Sequence, residues 1–203
     1  MQDLVLLQLA RVKGLLSFSQ AADSLSVSED ELKEPFNRFA AEEWVAETPR
    51  GWRLTPVGRK VTADLIAQER ESLDADAVSA VYEAFCTVND ELKATITAWQ
   101  MRDAGTPNDH TDAAYDQSVI DRLAQVHEQA KPVLERITAV APRLNHFAER
   151  LDRALAKVQD GDHTFVARPI LDSYHTVWFE LHEDLMAIAG LTRAEEAAAG
   201  RAQ

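Results

Sequence analysis

Two stretches of the sequence carry the side chains best suited to bind a ligand or to move a proton. One is NDHTDAAYD, residues 108–116, and the other is ARPILDSYHTVWFELHEDL, residues 167–185. Both contain more aromatic, histidine and acidic residues than a helix needs for packing into a core. Together they supply the candidates Asn108, Asp109, His110, Asp112, Tyr115, Asp116, Asp172, Tyr174, His175, Trp178, His182 and Glu183.

Metal binding and catalysis are both weakly supported by these residues. His175 and His182 are separated by about two helical turns, roughly 10 Å, which is too far for them to share one ion. Asp172 and His175 have the i, i+3 spacing of an acid–base pair. The sequence has no nucleophile elbow, phosphate-binding glycine loop or H-E-x-x-H helix. We therefore predict no metal, no cofactor, no catalytic residue and no enzymatic activity.

Ligand binding is the better prediction for the same residues. A pocket for a small organic acid or acyl compound needs apolar walls and a few polar groups that orient the ligand. The alternative is a polar-aromatic seam between helices or between two subunits. The predicted pocket residues are Trp99, Arg102, His110, Tyr115, Arg168, Tyr174, His175 and Trp178.

The charge is distributed unevenly along the chain. Residues 1–70 hold nine Lys/Arg and eleven Asp/Glu, whereas residues 71–203 hold twelve and twenty-three. A strongly negative surface repels polyanions, so any contact with nucleic acid must come from local basic groups in the first third.

The composition is that of a globular protein. The chain has 203 residues, 46% of them hydrophobic, and a single cysteine, Cys86, in an apolar stretch that predicts burial. No run approaches the roughly 18 apolar residues of a membrane span, and the N-terminus is unlike a signal peptide. We expect a cytoplasmic protein without membrane contact.

The first third predicts a helix, a helix-turn-helix and a β-hairpin followed by a helix. The first helix ends at Gly14, Ser19 caps the second, and Ser28 and Glu31 form a capping box on the third. Residues 44–55 alternate like two strands around a tip at 49–51, and Thr55 with Pro56 opens a fourth helix. This is the order of a winged helix-turn-helix domain, which we place at residues 1–70.

The remaining residues, 71–203, predict a helical domain for dimerisation or ligand binding. We expect a helix over residues 73–102, a loop over 103–112 and helical patterns to residue 158. A last strong helix is predicted from about Ile170 to Ala189, ended by Gly190, with a frayed tail beyond it. The predicted fold class is mainly α with a small β-wing.

The first third resembles MarR-type winged-helix proteins, through GWRLTPVGR at residues 51–59. The resemblance implies DNA binding by a dimer. The side chains placed to contact double-stranded DNA are Lys33, Asn37 and Arg38 on the third helix, Arg50 and Arg53 on the wing, and Arg59 and Lys60 after it.

A second resemblance covers nearly the whole chain. The same wing segment, NDHTDAAYD, and the sequence from Arg168 to Ala202 are similar to the C-terminal portion of some actinobacterial proteins related to pyruvate phosphate dikinase. The resemblance implies a regulatory or assembly role beside a phosphoenolpyruvate-utilising enzyme, and it gives no residue a catalytic role.

Three functions remain open from the sequence. The first is a dimeric winged-helix transcriptional regulator that senses a small metabolite through its helical domain. The second is a non-catalytic interaction subunit of a phosphoenolpyruvate-utilising enzyme, favoured by the acids Glu29, Asp30, Glu31 and Glu34 on the third helix. Carboxylates there stabilise the helix start but oppose docking onto phosphates. The third is an enzyme that uses the histidine–aspartate residues.

Overall fold

The chain divides into two compact units, Met1–Leu73 and Asp74–Gln203, where the sequence predicts a boundary at 70/71. A computed structural model describes residues 3–198. The described chain is mainly helical and carries small antiparallel two-stranded sheets. Within residues 3–198, every helix is too short or too polar to cross a membrane.

The first unit begins with three helices, continues with a β-hairpin and ends in a fourth helix. Val45 pairs with Leu54 at the open end of the hairpin, and Leu16 bridges to Trp52 on its outer edge. The elements are α1 (Asp3–Lys13), α2 (Phe18–Leu25), α3 (Glu29–Ala41), β1 (Val45–Thr48), β2 (Gly51–Leu54) and α4 (Pro56–Ser72).

The helix starts of the first unit follow local capping rules. Ser28 and Glu31 form the predicted reciprocal capping box of α3. Thr55 caps α4, with Pro56 in its first turn. The prediction that Ser19 caps the second helix was wrong, because Ser17 and Gln20 form the capping box and the helix begins two residues earlier.

Residues 54–59, LTPVGR, join the hairpin to α4. The hydroxyl of Thr55 donates to the carbonyl of Glu43 at 2.6 Å. A Cβ at Gly58 would lie 1.8 Å from the carbonyl oxygen of Trp44, so only glycine lets α4 approach the start of β1 this closely. The core beneath this junction contains Leu6, Leu7, Leu16, Leu32, Phe36, Phe39, Val45, Trp52 and Leu54.

The second unit is mainly helical, and its two longest helices pack along each other. Its core stacks the Phe85 ring on the Trp178 indole, with centroids 4.7 Å apart, and Cys86 is buried as predicted. The elements are α5 (Ala75–Gln100), β3 (Met101–Asp103), β4 (Thr106–Pro107), α6 (Ala113–Val140), a 3-10 turn (Pro142–Asn145), α7 (His146–Gln159), α8 (Thr164–Ala167), α9 (Tyr174–Ala189) and α10 (Arg193–Ala198).

Three boundaries of the second unit differ from the sequence prediction. The predicted loop over 103–112 includes part of a small hairpin, β3–β4. The last strong helix begins at Tyr174 and not near Ile170, because Ser173 caps it. The tail forms α10 through Ala198 and buries Glu196, so it is not frayed there; residues 199–203 lie outside the described residues.

Candidate functional site

A basic cleft of about 490 Å³ lies in the first unit, between the end of α1 and the hairpin. Four cationic side chains line it, and we call this group the basic cleft: Arg11, Lys13, Arg53 and Arg59. Arg11 and Lys13 occupy the last turn of α1, where positive charge is stabilised by the helix dipole. The guanidinium of Arg59 donates to the carbonyl of Leu54 at 3.1 Å.

The cations predicted on α3 are engaged within the first unit. The ammonium of Lys33 lies 2.6 Å from the carboxylate of Asp30. Arg38 donates two hydrogen bonds, of 2.8 and 2.7 Å, to the carboxylate of Asp3 on α1. Both pairs raise the pKa of the cation and lower that of its acid, chiefly through the hydrogen bond.

The other predicted DNA contacts stand on the hairpin, on α3 and on α4. Arg50 at the hairpin tip, Arg53 on β2 and Asn37 on α3 are exposed. Lys60 lies 2.6 Å from the carboxylate of Asp64, one turn along α4. Of the predicted DNA contacts, Arg50, Arg53 and Arg59 have no acid partner within residues 3–198, and they stand on the hairpin and at the start of α4.

A second cleft, of about 770 Å³, lies in the second unit. It is built from the end of α5, the segment before α6, the first turn of α6, and the α8 region. We call it the aromatic cleft and define it by Trp99, His110, Asp116, His163 and Arg168; Gln100, Ala113, Gln117, Thr164 and Ala167 also line it. Three of the eight predicted ligand residues, Trp99, His110 and Arg168, meet there.

Asp116 holds His110 in place at the side of the aromatic cleft. The Asp116 carboxylate is largely buried, and its Oδ2 lies 3.0 Å from Nδ1 of His110. Its other oxygen accepts a hydrogen bond of 2.8 Å from the Asn108 amide. His110 has a φ of 56°, an uncommon conformation for a residue other than glycine.

Two aromatic contacts form the floor of the aromatic cleft. The Trp99 ring lies 4.4 Å from the His110 ring, measured between centroids, and meets the His163 ring edge-on at 5.7 Å. Trp99 is 8% exposed, so its ring is fixed by the helices behind it. Rigid rings with apolar neighbours are typical walls of small-molecule sites.

Arg102 and Tyr115 lie next to this site but pair with each other. The Arg102 guanidinium stacks 4.0 Å from the centroid of the Tyr115 ring and bonds Asp112 at 2.9 Å. The Tyr115 hydroxyl donates to the carbonyl of Ala98 at 2.9 Å. These two predicted residues therefore lie beside the aromatic cleft and do not line it.

Tyr174 and Trp178 do not line the aromatic cleft, and the prediction that they do was wrong. Both are completely buried. The Trp178 indole donates to the Asn89 side chain at 3.0 Å, and the Tyr174 hydroxyl lies 3.2 Å from His127 Nδ1. Their ring faces point into the helical core because α9 packs on α5 and α7. His175 is a half-buried residue of the same helix.

The remaining polar candidates, on α9 and just before it, contact polar side chains of the second unit. Asp172, which precedes α9, pairs with Arg150 at 2.9 Å, and its acid–base pairing with His175 stays a prediction. Glu183 forms an ion pair with Arg193 at 2.9 Å, and His182 lies 3.2 Å from the Tyr82 hydroxyl. Among residues 3–198, no group of three or more His, Cys, Asp or Glu could hold a metal ion.

Sequence reasoning missed His163 as a site residue, and it missed Arg11 and Lys13. His163 follows QDGD, a break between helices that only its composition indicates in the sequence. The approach of His163 to Trp99 depends on how α7 and α8 fold back onto α5. In the sequence, Arg11 and Lys13 are ordinary charges at the end of a helix. They line a cleft only because the hairpin lies beside them.

Comparisons with protein-family models, curated proteins and solved structures found no match for this chain.

Proposed function

We propose that the first unit is a winged helix-turn-helix domain that binds double-stranded DNA, and that the chain is a dimeric transcriptional regulator. The order of three helices, a hairpin and a fourth helix supports this assignment, with β1–β2 as the wing. The observation that carries it is the group of cations around the hairpin: the basic cleft together with Arg50 at its tip.

In this proposal the wing side contacts DNA more strongly than the first turn of α3. Arg50 and Arg53 are exposed, so each is able to reach a phosphate or the minor groove. Glu29, Asp30 and Glu31 lie in the first turn of α3 and repel phosphates. Asn37 is exposed on α3 and offers one amide for a base edge.

The test is fluorescence anisotropy with a duplex pool of randomised sequence, at about 50 mM and about 200 mM salt. We expect Arg50→Ala combined with Arg53→Ala to weaken binding to all duplexes and to lower the salt slope by about 2. Arg70→Ala, which removes an exposed positive charge in the last turn of α4 and away from the hairpin, is the matched control and should bind like the parent protein.

The preference of the protein for particular DNA sequences tests the contact proposed for Asn37. We expect Asn37→Ala to reduce selection of particular duplexes from the pool while affinity for the bulk pool stays the same. Absence of binding at about 50 mM salt, where the phosphate contribution is strongest, would exclude DNA as the partner. Light scattering tests the dimer.

The second candidate is an interaction subunit of a phosphoenolpyruvate-utilising enzyme. The acidic α3 favours it, because Lys33 and Arg38 are held by acids and Glu29 and Glu34 stand exposed. In this case α3 binds a basic surface of the enzyme. Glu29→Lys with Glu34→Lys should then abolish co-elution with that enzyme, whereas Arg50→Ala should not.

A further inference from the structure

We infer that the aromatic cleft binds a small carboxylate that has an apolar body and a terminal hydroxyl. Arg168 receives the carboxylate, the floor around Trp99 holds the body, and His110 accepts the hydroxyl proton in a hydrogen bond. The inference rests on the second unit by itself, and it stands whether or not the first unit binds DNA.

Arg168 supplies an uncommitted positive charge. It is exposed and lines the aromatic cleft, and its side chain makes no hydrogen bond or ion pair with any residue in 3–198. By contrast, Arg150 and Arg102 of the same unit are paired with acids. A free guanidinium at a cleft binds a carboxylate with two parallel hydrogen bonds.

His110 offers a defined acceptor. The two protons of the Asn108 amide go to the Trp99 carbonyl at 3.1 Å and to Asp116 at 2.8 Å. Nδ1 of His110 therefore carries its own proton and donates it to Asp116 Oδ2. In the neutral ring with this tautomer Nε2 is an acceptor, and a ligand hydroxyl in the aromatic cleft is able to donate to it.

The body of the ligand lies between small apolar side chains and fixed rings. Ala113 and Ala167 line the aromatic cleft beside Trp99 and His163. The volume of about 770 Å³ falls within the range of roughly 300–1,000 Å³ typical of small-molecule sites.

Charge limits the ligand to one negative group. The single unpaired guanidinium balances a single carboxylate, whereas a second anionic group would approach the buried carboxylate of Asp116. A monocarboxylate with a neutral far end therefore fits both ends of the aromatic cleft.

The test is isothermal titration calorimetry of the full chain with a homologous series of ω-hydroxycarboxylates. Each is compared with its methyl ester, which lacks the negative charge, and with the carboxylate of equal length that ends in a methyl group. We expect one chain length to bind best and its methyl ester to bind about tenfold or more weakly.

Two variants assign the ends of the ligand. Arg168→Gln should weaken binding about tenfold or more, and Arg136→Gln, an exposed arginine on α6 about 30 Å along the helix from its first turn, should bind like the parent. His110→Phe should remove the preference for the hydroxyl-ended ligand. Both Arg168 and Arg136 are on the surface, so neither change threatens the fold.

The result is decisive in either direction. Equal binding by the Arg168→Gln and Arg136→Gln variants, or no heat from any carboxylate at millimolar concentration, overturns the inference. A hydroxyl preference that survives His110→Phe overturns the assignment of His110. DNA anisotropy on the same protein sample reports the first unit separately.

Discussion

His146 is a histidine that the folded second unit holds in its neutral form. Burial lowers the pKa of His146 to about 3, and the positive charge of Arg150 acts in the same direction. Nδ1 of its ring donates to the carbonyl of Arg143 at 3.1 Å. Burial lowers the pKa of His127 as well. Both residues must gain a proton when the protein unfolds in mild acid.

The free energy of unfolding should therefore fall as the solution is acidified. An unfolded histidine titrates near pH 6.5, so below that pH the unfolded state binds more protons than the native state. The contribution of His146 is fully present above about pH 6.5 and is lost as the pH falls towards about 3, with a slope of at most ~1.4 kcal/mol per pH unit.

Urea denaturation between about pH 7 and pH 5 measures this slope. His146→Gln should reduce it, while the part due to His127 remains. A slope unaffected by His146→Gln contradicts the neutral state of this half-buried residue.

At the scale of elements, α7 is tied to α9 by a buried arginine. Arg150 on α7 bonds Asp172 before α9 at 2.9 Å and Glu180 on α9 at 2.5 Å. The side chains of Arg150 and Glu180 are 0% and 4% exposed. Removal of one partner of such a pair leaves the other charge buried without compensation.

Arg150→Ala should lower the free energy of unfolding of the second unit by about 3–5 kcal/mol. Arg153, one turn further on α7, pairs with Glu149 at the surface, and Arg153→Ala should cost about 1 kcal/mol or less. Chemical denaturation of both variants compares the two sites on one helix. Similar losses in the two variants disprove the structural role of the buried pair.

The helix ends that sequence predicts correctly depend on neighbouring residues. Ser28 with Glu31, Thr55 with Pro56, and Gly190 each cap a helix through contacts within a few residues. The errors lie where distant contacts decide. Glu196 is buried 14 residues after His182, which it approaches at 4.0 Å, and no local pattern in the tail indicates this.

The candidate site was predictable only in part, because local composition does not determine how the helices pack. Trp99, His110 and Arg168 have unusual local composition around them, and they line one cleft. The composition around Trp178 is similar, but packing on Phe85 takes that ring into the core. Residue type therefore indicated the candidates, and the packing of helices selected among them.

For the whole molecule, each of the two units has a core of its own. The core of the first unit gathers around Phe36 and Trp52, and that of the second around Phe85 and Trp178. Because separate cores lose their packing separately, we expect two transitions in differential scanning calorimetry.

Two variants should move the two transitions independently. Gly58→Ala places a Cβ 1.8 Å from the Trp44 carbonyl oxygen, and overpacking of about 1–3 kcal/mol lowers the melting temperature of a unit of this size by roughly 5 °C or more. Arg150→Ala should lower only the other transition. Val57→Ala, at the exposed neighbour of Gly58, is the control and should move neither by much. A single transition lowered by both variants requires that the two units unfold as one cooperative body.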